Sequence, residues 1–179
     1  APTLLALARE LQASVARLHL LASPRSIELL VNFHQCMVFI LVPAWNELVQ
    51  SGVPHEEKIA KLFGKEAGVF TPSGSLSNQL ALRTLVKPGE ELLSETFSHV
   101  VRAELGAAAA LSGITTRTWL DPDGQFSADR AIAIAHPDAG PYLVSTKAFA
   151  VENTHNFGGG TVQNMDEVKK LRNFADAHN

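Results

Sequence analysis

The sequence predicts an α/β fold with a mainly parallel sheet and flanking helices. Three observations predict it. Strand-like apolar segments alternate with helical segments of about ten to fifteen residues, the pattern of β-α-β units whose right-handed crossovers lay successive strands parallel. Glycine and proline mark the joins, at Pro54, Gly64, Pro72-Ser73-Gly74, Pro88-Gly89 and Pro122-Asp123-Gly124. The chain has 179 residues, about one domain at a typical ~150 residues per domain.

Composition narrows the function classes. Hydrophobic residues make up 46% and charged residues 18%, with 12 Gly and 9 Pro, an ordinary globular mixture. Fifteen Lys and Arg against 18 Asp and Glu leave a net charge of −3. No basic field exists to gather a phosphodiester backbone, so nucleic acid is not expected as a partner. Cys36 is the single cysteine, so no internal disulfide and no paired Cys/His zinc site is expected, and the chain reads as cytoplasmic. The longest apolar run, Cys36 to Trp45, spans ten residues and contains Pro43, whereas a membrane span needs about 20. No basic region precedes an apolar stretch at the start, so no secretory signal is expected. Ala1 in place of an initiator Met points to a processed, trimmed or partial chain.

The elements follow in order. Thr3 is a plausible N-cap, and Leu4, Leu7, Ala8, Leu11, Val15 and Leu18 share one helical face that ends near Ser23-Pro24. Between residues 27 and 50 two periods compete. Val38 to Val42 fits a buried strand, while Ile27 to Leu30 and Ala44 to Val49 fit short helices. His55 to Phe63 is helical, with Gly64 where a left-handed cap is wanted. Gly68 to Thr71 reads as a strand, and the turn after it opens a helix through Leu76, Leu80, Leu82, Leu85 and Val86, stopped by Lys87-Pro88-Gly89. Glu91 to Ser94 is the next strand, His99 to Ser112 an Ala-rich helix, and Ile114 to Leu120 a β-branched strand. Asp121 to Gly124 is a turn, and Ser127 caps a helix to Ala135. Leu143 to Glu152 reads as a strand with an irregular start. The His155 to Gly160 loop and a helix from Met165 to Ala177 close the chain.

Ligands of open α/β sheets sit beyond the carboxyl ends of the strands, so the strand-to-helix loops are the places to search. Three stand out. In Thr71-Pro72-Ser73-Gly74-Ser75 a glycine lets backbone approach a ligand just where a helix opens its free N–H groups, an anion site with hydroxyls at Ser73 and Ser75. A simple capped helix start is the competing reading, because neither dinucleotide nor P-loop spacing is present. Near a helix start lie His99, able to stack on a flat ring, and Glu104, able to position water. A surface His and a solvated Glu account for the same residues in isolation. Glu152-Asn153-Thr154-His155-Asn156 then sets polar side chains at a strand end before Gly158-Gly159-Gly160, which a structural turn also explains.

Taken in order, these segments resemble the β-eliminating lyase and threonine aldolase family of pyridoxal-phosphate enzymes. The resemblance runs from near Glu57 to the end of the chain. It implies an aminotransferase-like fold, with residues 57–179 as the N-terminal part of the cofactor-binding large domain and 1–56 as a divergent helical segment. The family's phosphate cup is similar to Ser73, Gly74 and Ser75 followed by Asn78-Gln79, its ring-stacking histidine to His99, and its acidic residue five positions on to Glu104. Its histidine beside the substrate hydroxyl falls on His155.

The resemblance implies a pyridoxal 5'-phosphate cofactor, a small amino-acid substrate and a homo-oligomeric complete parent, dimer or tetramer. The activity implied is cleavage of L-threonine or another β-hydroxy-α-amino acid to glycine and an aldehyde. The family's N-terminal arm is not recognisable in residues 1–56, and Ala103 stands where the family often has Tyr. Lys58, Lys61, Lys65, Lys87, Lys147, Lys169 and Lys170 all lie outside the matched motifs, so no Schiff-base lysine and no activity is expected from this chain alone. Two rivals stay open: a β-eliminating or desulfurase-type enzyme of the same fold, and a non-catalytic α/β module for a phosphorylated ligand or a partner protein.

Overall fold

A computed structural model describes residues 29–32, 56, 57, 60, 61, 65–69, 71 and 73–178. The helix expected from Thr3, and the strand-like run 38–42 and helix-like run 44–49 between which the sequence does not decide, lie outside the described residues. Among the described residues four parallel strands form one sheet in the order β1-β4-β2-β3. They are β1 (Leu29–Asn32), β2 (Glu91–Glu95), β3 (Thr115–Trp119) and β4 (Thr146–Glu152). Residues 56, 57, 60 and 61 are helical, and the helices of the described residues that follow are α1 (Gly74–Leu85), α2 (His99–Arg102), α3 (Ala107–Ser112), α4 (Ala128–Ala133) and α5 (Met165–Ala177). The mainly parallel α/β architecture is the expected one.

Two helical layers sandwich the sheet because the central strands alternate apolar side chains to both faces. Every residue of β2 is buried, the pattern of a parallel strand covered on both sides. On one face Leu93, Phe149 and Val151 pack with Ala128 and Ala131 of α4 and Val168, Leu171 and Ala175 of α5. On the other, Leu92, Ala148 and Ala150 pack with Leu82 of α1 and Ala108 of α3. Full burial of a leucine such as Leu93 or Leu171 stabilises by about 1.5–3 kcal/mol. Among the described residues no helix is long and apolar enough to cross a membrane.

Helix ends follow local chemistry. Ser73 Oγ accepts the Leu76 N–H at 3.2 Å to start α1, and Pro88 disfavours helical backbone at Lys87 just past its end. Asn164 Oδ1 accepts the Asp166 N–H at 2.8 Å to start α5, whose first turn carries Asp166 and Glu167 against the positive end of the helix dipole.

Several expected elements take another form. Ile27 to Leu30, where two periods compete, fits a short helix by period, but Leu29–Asn32 is strand β1, paired with Phe149–Glu152; over so short a run the partner strand decides, since periodicity cannot. Gly68, Val69 and Thr71 are not strand. Gly68 instead sits tight against Glu56, whose carbonyl oxygen lies 2.8 Å from where a β-carbon at Gly68 would be. The expected helix from His99 to Ser112 is broken in two, because Leu105 (φ 55) and Gly106 (φ 74) both adopt left-handed backbone, which ends a right-handed helix. The strand expected from Leu143 begins only at Thr146. Ser127 makes no side-chain cap; the Glu167 carboxylate takes that place, accepting the Ala128 N–H at 2.7 Å.

Candidate active site

The candidate residues collect at the carboxyl edge of the sheet, as the parallel topology requires. At the start of α1 the Ser73 carbonyl accepts the Ser77 N–H at 3.1 Å, while Ser73 Oγ is engaged with Leu76. The N–H groups of Gly74 and Ser75 are first-turn donors without a helical acceptor. Donors in this position suit an anion, and Ser75 adds a hydroxyl to them.

One helical turn further on, Asn78 and Gln79 point into a buried junction. Asn78 Nδ2 donates to Glu104 Oε1 at 2.5 Å and Gln79 Nε2 donates to Glu104 Oε2 at 2.6 Å. His99 Nδ1 lies 2.8 Å from Glu104 Oε1. Glu104 is 5% exposed, so three donors satisfy a carboxylate that burial alone would heavily penalise. The interruption at Leu105 is what swings Glu104 inward. A continuous helix would project residues 99 and 104 on different sides, about 140° apart at 100° per residue. Since Glu104 is acceptor-only when ionised, His99 carries its proton on Nδ1 in this pair. The His99 ring borders a cavity lined also by Asn78, Ser94, Ser98 and Glu152.

His155 stands in a second group. It is 2% exposed, with Nε2 3.0 Å from Glu95 Oε2 and Nδ1 accepting the Gly158 N–H at 3.0 Å. The hydrogen bond to Glu95 raises its pKa above the usual 6.5, burial opposes the rise, and the charges of Glu152, Glu95 and Asp121 add to it. Protonation of Nδ1 must displace Gly158, because an N–H cannot donate to a protonated nitrogen. Glu95 also accepts the Phe97 N–H at 2.5 Å. Asp121, next to it, takes the Trp119 indole N–H at 2.5 Å and Arg130 Nε at 2.6 Å. Gln163 fastens the surrounding loops: its Oε1 accepts the Phe126 N–H, and its Nε2 donates to the carbonyls of Gly124 and Glu152, each at 2.9 Å.

The structure therefore brings Asn78, His99 and Glu104 together, one turn from the Ser73–Ser75 helix start, and pairs His155 with Glu95 instead. The sequence pattern of the beta-eliminating lyase family matches residues 52–179. The chain belongs to the beta-eliminating lyase family.

Among its relatives, the low specificity L-threonine aldolase of Escherichia coli strain K12 is 32% identical over 126 residues, covering 69% of this chain and 36% of that protein. Low-specificity L-threonine aldolase 1 of Arabidopsis thaliana is 29% identical over 127 residues, 69% of this chain and 35% of that enzyme. The alanine racemase TOXG of Cochliobolus carbonum is 30% identical over 129 residues, 69% and 32% respectively. This beta-eliminating lyase chain thus spans about a third of the length of these relatives.

Glu95, Asp121 and Gln163 were not legible as site residues in this beta-eliminating lyase sequence, and Glu152 was visible only as the first letter of a motif. One signal was available. An acidic residue at the carboxyl end of a largely buried parallel strand, as Glu95 and Glu152 are, sits at the edge where ligands and loops meet.

Proposed function

We propose that this chain carries the phosphate-cup and ring-stacking portion of a pyridoxal-phosphate-dependent aldehyde-lyase of the threonine aldolase type. Its substrate would be L-threonine or another β-hydroxy-α-amino acid, released as glycine and an aldehyde. The observation that carries this reading is the convergence of Asn78, Gln79 and His99 on Glu104. These are residues of two separate motifs, and they meet one turn from a helix start suited to a phosphate.

The residues present fit part of such a cofactor. The Gly74 and Ser75 N–H groups and the Ser75 hydroxyl would hold the phosphate through the helix dipole. Glu104 holds the His99 ring in one tautomer and one orientation, ready to stack on a pyridine ring. Among the described residues the buried Gln79 Oε1 has no hydrogen-bond partner, an acceptor that a donor entering beside α1 would satisfy. The cofactor, when bound, supplies an electron sink for the pair left on Cα as the Cα–Cβ bond breaks.

His155 is the proposed group for orienting or deprotonating the substrate hydroxyl. Both of its ring nitrogens are engaged, so that role requires the Gly158 N–H to leave Nδ1 and open a lone pair. Lys147, on the sheet, lies at the amino end of β4. It is five residues from Glu152, about 16 Å along an extended strand, and far from the candidate site. This supports the reading that the chain does not turn over substrate alone.

Glycine release from L-threonine tests the proposal, measured with added pyridoxal phosphate for the 179-residue chain and for a chain extended by the C-terminal part of an L-threonine aldolase. The expected result is cofactor binding by both and turnover by the extended form only. Absence of cofactor binding by the 179-residue chain would overturn the reading.

A further inference from the structure

Glu152 has no part in the reading above, yet it stands between the two histidines that do. It is the last residue of β4 and is 5% exposed. Its Oε2 accepts the backbone N–H of His99 at 2.6 Å, and its Oε1 accepts the backbone N–H of Asn156 at 2.9 Å. The Glu152 carbonyl is held in turn by Gln163 Nε2 at 2.9 Å. One carboxylate at the end of a central strand therefore ties the first residue of α2 to the loop that carries His155. It also lines the same cavity as the His99 ring.

We infer that Glu152 is a positioning residue that fixes the His99 ring and the His155–Gly160 loop as one unit facing the ligand cavity, an inference that rests on the proposed cofactor site. The chemistry demands a carboxylate. Two N–H donors arrive from two different loops, and only an ionised Asp or Glu offers an acceptor oxygen to each with no donor of its own. A glutamine keeps one oxygen and turns its NH2 group toward the other N–H, so one loop loses its tether while shape is retained. An aspartate keeps the charge but is one methylene shorter and cannot span both. Hydrogen bonds to a charged group are the strong ones, so each tether matters to local order.

The experiment compares the 179-residue chain with Glu152→Gln and Glu152→Asp by site-resolved amide hydrogen exchange, thermal melting and the dissociation constant for pyridoxal phosphate in equilibrium dialysis. Glu152→Gln is expected to speed exchange about tenfold or more at His99 or Asn156 and to raise the dissociation constant about tenfold, while β2 and β4 stay protected. Glu152→Asp is expected to deprotect at least one of the two amides with little change in the melt. A dissociation constant within twofold of the parent in a folded Glu152→Gln protein would overturn the inference, as would fast exchange at both amides in the parent chain. Loss of protection throughout the sheet in both variants would make the role structural and overturn it too. If the parent chain does not bind pyridoxal phosphate, the proposed function fails, and the tether itself is then decided by the exchange rates at His99 and Asn156.

Discussion

His99 Nδ1 lies 2.8 Å from Glu104 Oε1, the oxygen that also accepts from Asn78 at 2.5 Å. This shared acceptor joins Asn78 to His99, which are 21 residues apart in the chain. Glu104→Ala should strip acceptors from Asn78, Gln79 and His99 together. Leaving buried donors unpaired costs about 1–3 kcal/mol each, partly recovered by relaxation, so a net loss of about 2–4 kcal/mol is expected in urea denaturation. Affinity for pyridoxal phosphate should fall as well. A variant as stable as the parent would show that the junction is not a unit.

Gly74→Val tests the phosphate cup without touching that junction. A branched side chain at the first helical position would stand where the phosphate must approach the Gly74 and Ser75 N–H groups. Pyridoxal phosphate affinity should drop at least about tenfold, or ~1.4 kcal/mol, with the Glu104 junction intact by histidine NMR. Unchanged affinity would place the phosphate elsewhere.

The titration of His155 provides a third test. Its pKa is raised above 6.5, with the Glu95 hydrogen bond as the main cause and burial opposing it. A raised folded-state value means the pair's contribution to stability is fully present below pH ~6.5 and is lost as pH rises through the folded pKa. NMR of the ring should give a midpoint above 6.5 in the parent chain and a lower one in Glu95→Gln. The Gly158 amide should exchange faster on the acid side, where Nδ1 no longer accepts it. A parent midpoint at or below 6.5 would contradict the role given to Glu95.

At the opposite end of the sheet, burial would raise the Glu91 carboxyl, but the paired hydrogen bonds from Arg117 and the hydroxyl of Thr146 prevail and hold its pKa below 4.5. A lowered value means stability gained above the unfolded pKa and lost as pH falls through the folded one. Glu91→Gln should therefore cost about 1–3 kcal/mol at pH 7, since Arg117 is partly solvated, and the deficit should shrink below pH ~4. Guanidinium melts at pH 7 and pH 3.5 measure both values. An equal deficit at the two pH values would remove the charge from the explanation.

Two glycines of like backbone separate strain from space. Gly124 (φ +67) and Gly140 (φ +73) are both left-handed, but a β-carbon at Gly124 would meet His155 Cγ at 2.8 Å and Nδ1 at 2.9 Å, whereas one at Gly140 would meet nothing within 4 Å among the described residues. Gly140→Ala should cost only the backbone penalty, about 1–2 kcal/mol. Gly124→Ala adds about 1–3 kcal/mol of overlap and should also shift the His155 ring resonances. Equal melting points for the two variants would mean His155 is not wedged there.

Much of this was legible in the sequence. Met165–Ala177 could be bounded correctly because Asn164, Asp166 and Glu167 announce its start and its apolar face keeps period. The parallel sheet followed from alternation alone. What escaped depended on contacts distant in sequence. Leu29–Asn32 is a strand because β4 pairs with it, and no local signal records that partner. The break at Leu105-Gly106 was hidden by Ala-rich flanks with high helix propensity, although Gly106 marked a place where a helix can end. In the site, His99 and Glu104 were found through their motif, but the pairing of His155 with Glu95 spans 60 residues and carries no periodic trace.

Gln163 makes the loops around His155 depend on the neutrality of one amide. Its neutral amide donates to the carbonyls of Gly124 and Glu152 while accepting the Phe126 N–H. Hydrolysis of that amide would put a carboxylate against two carbonyl oxygens, turning two attractions into repulsions beside Glu152. Deamidation at this one residue would part the loops that frame His155 while leaving the helices and strands in place.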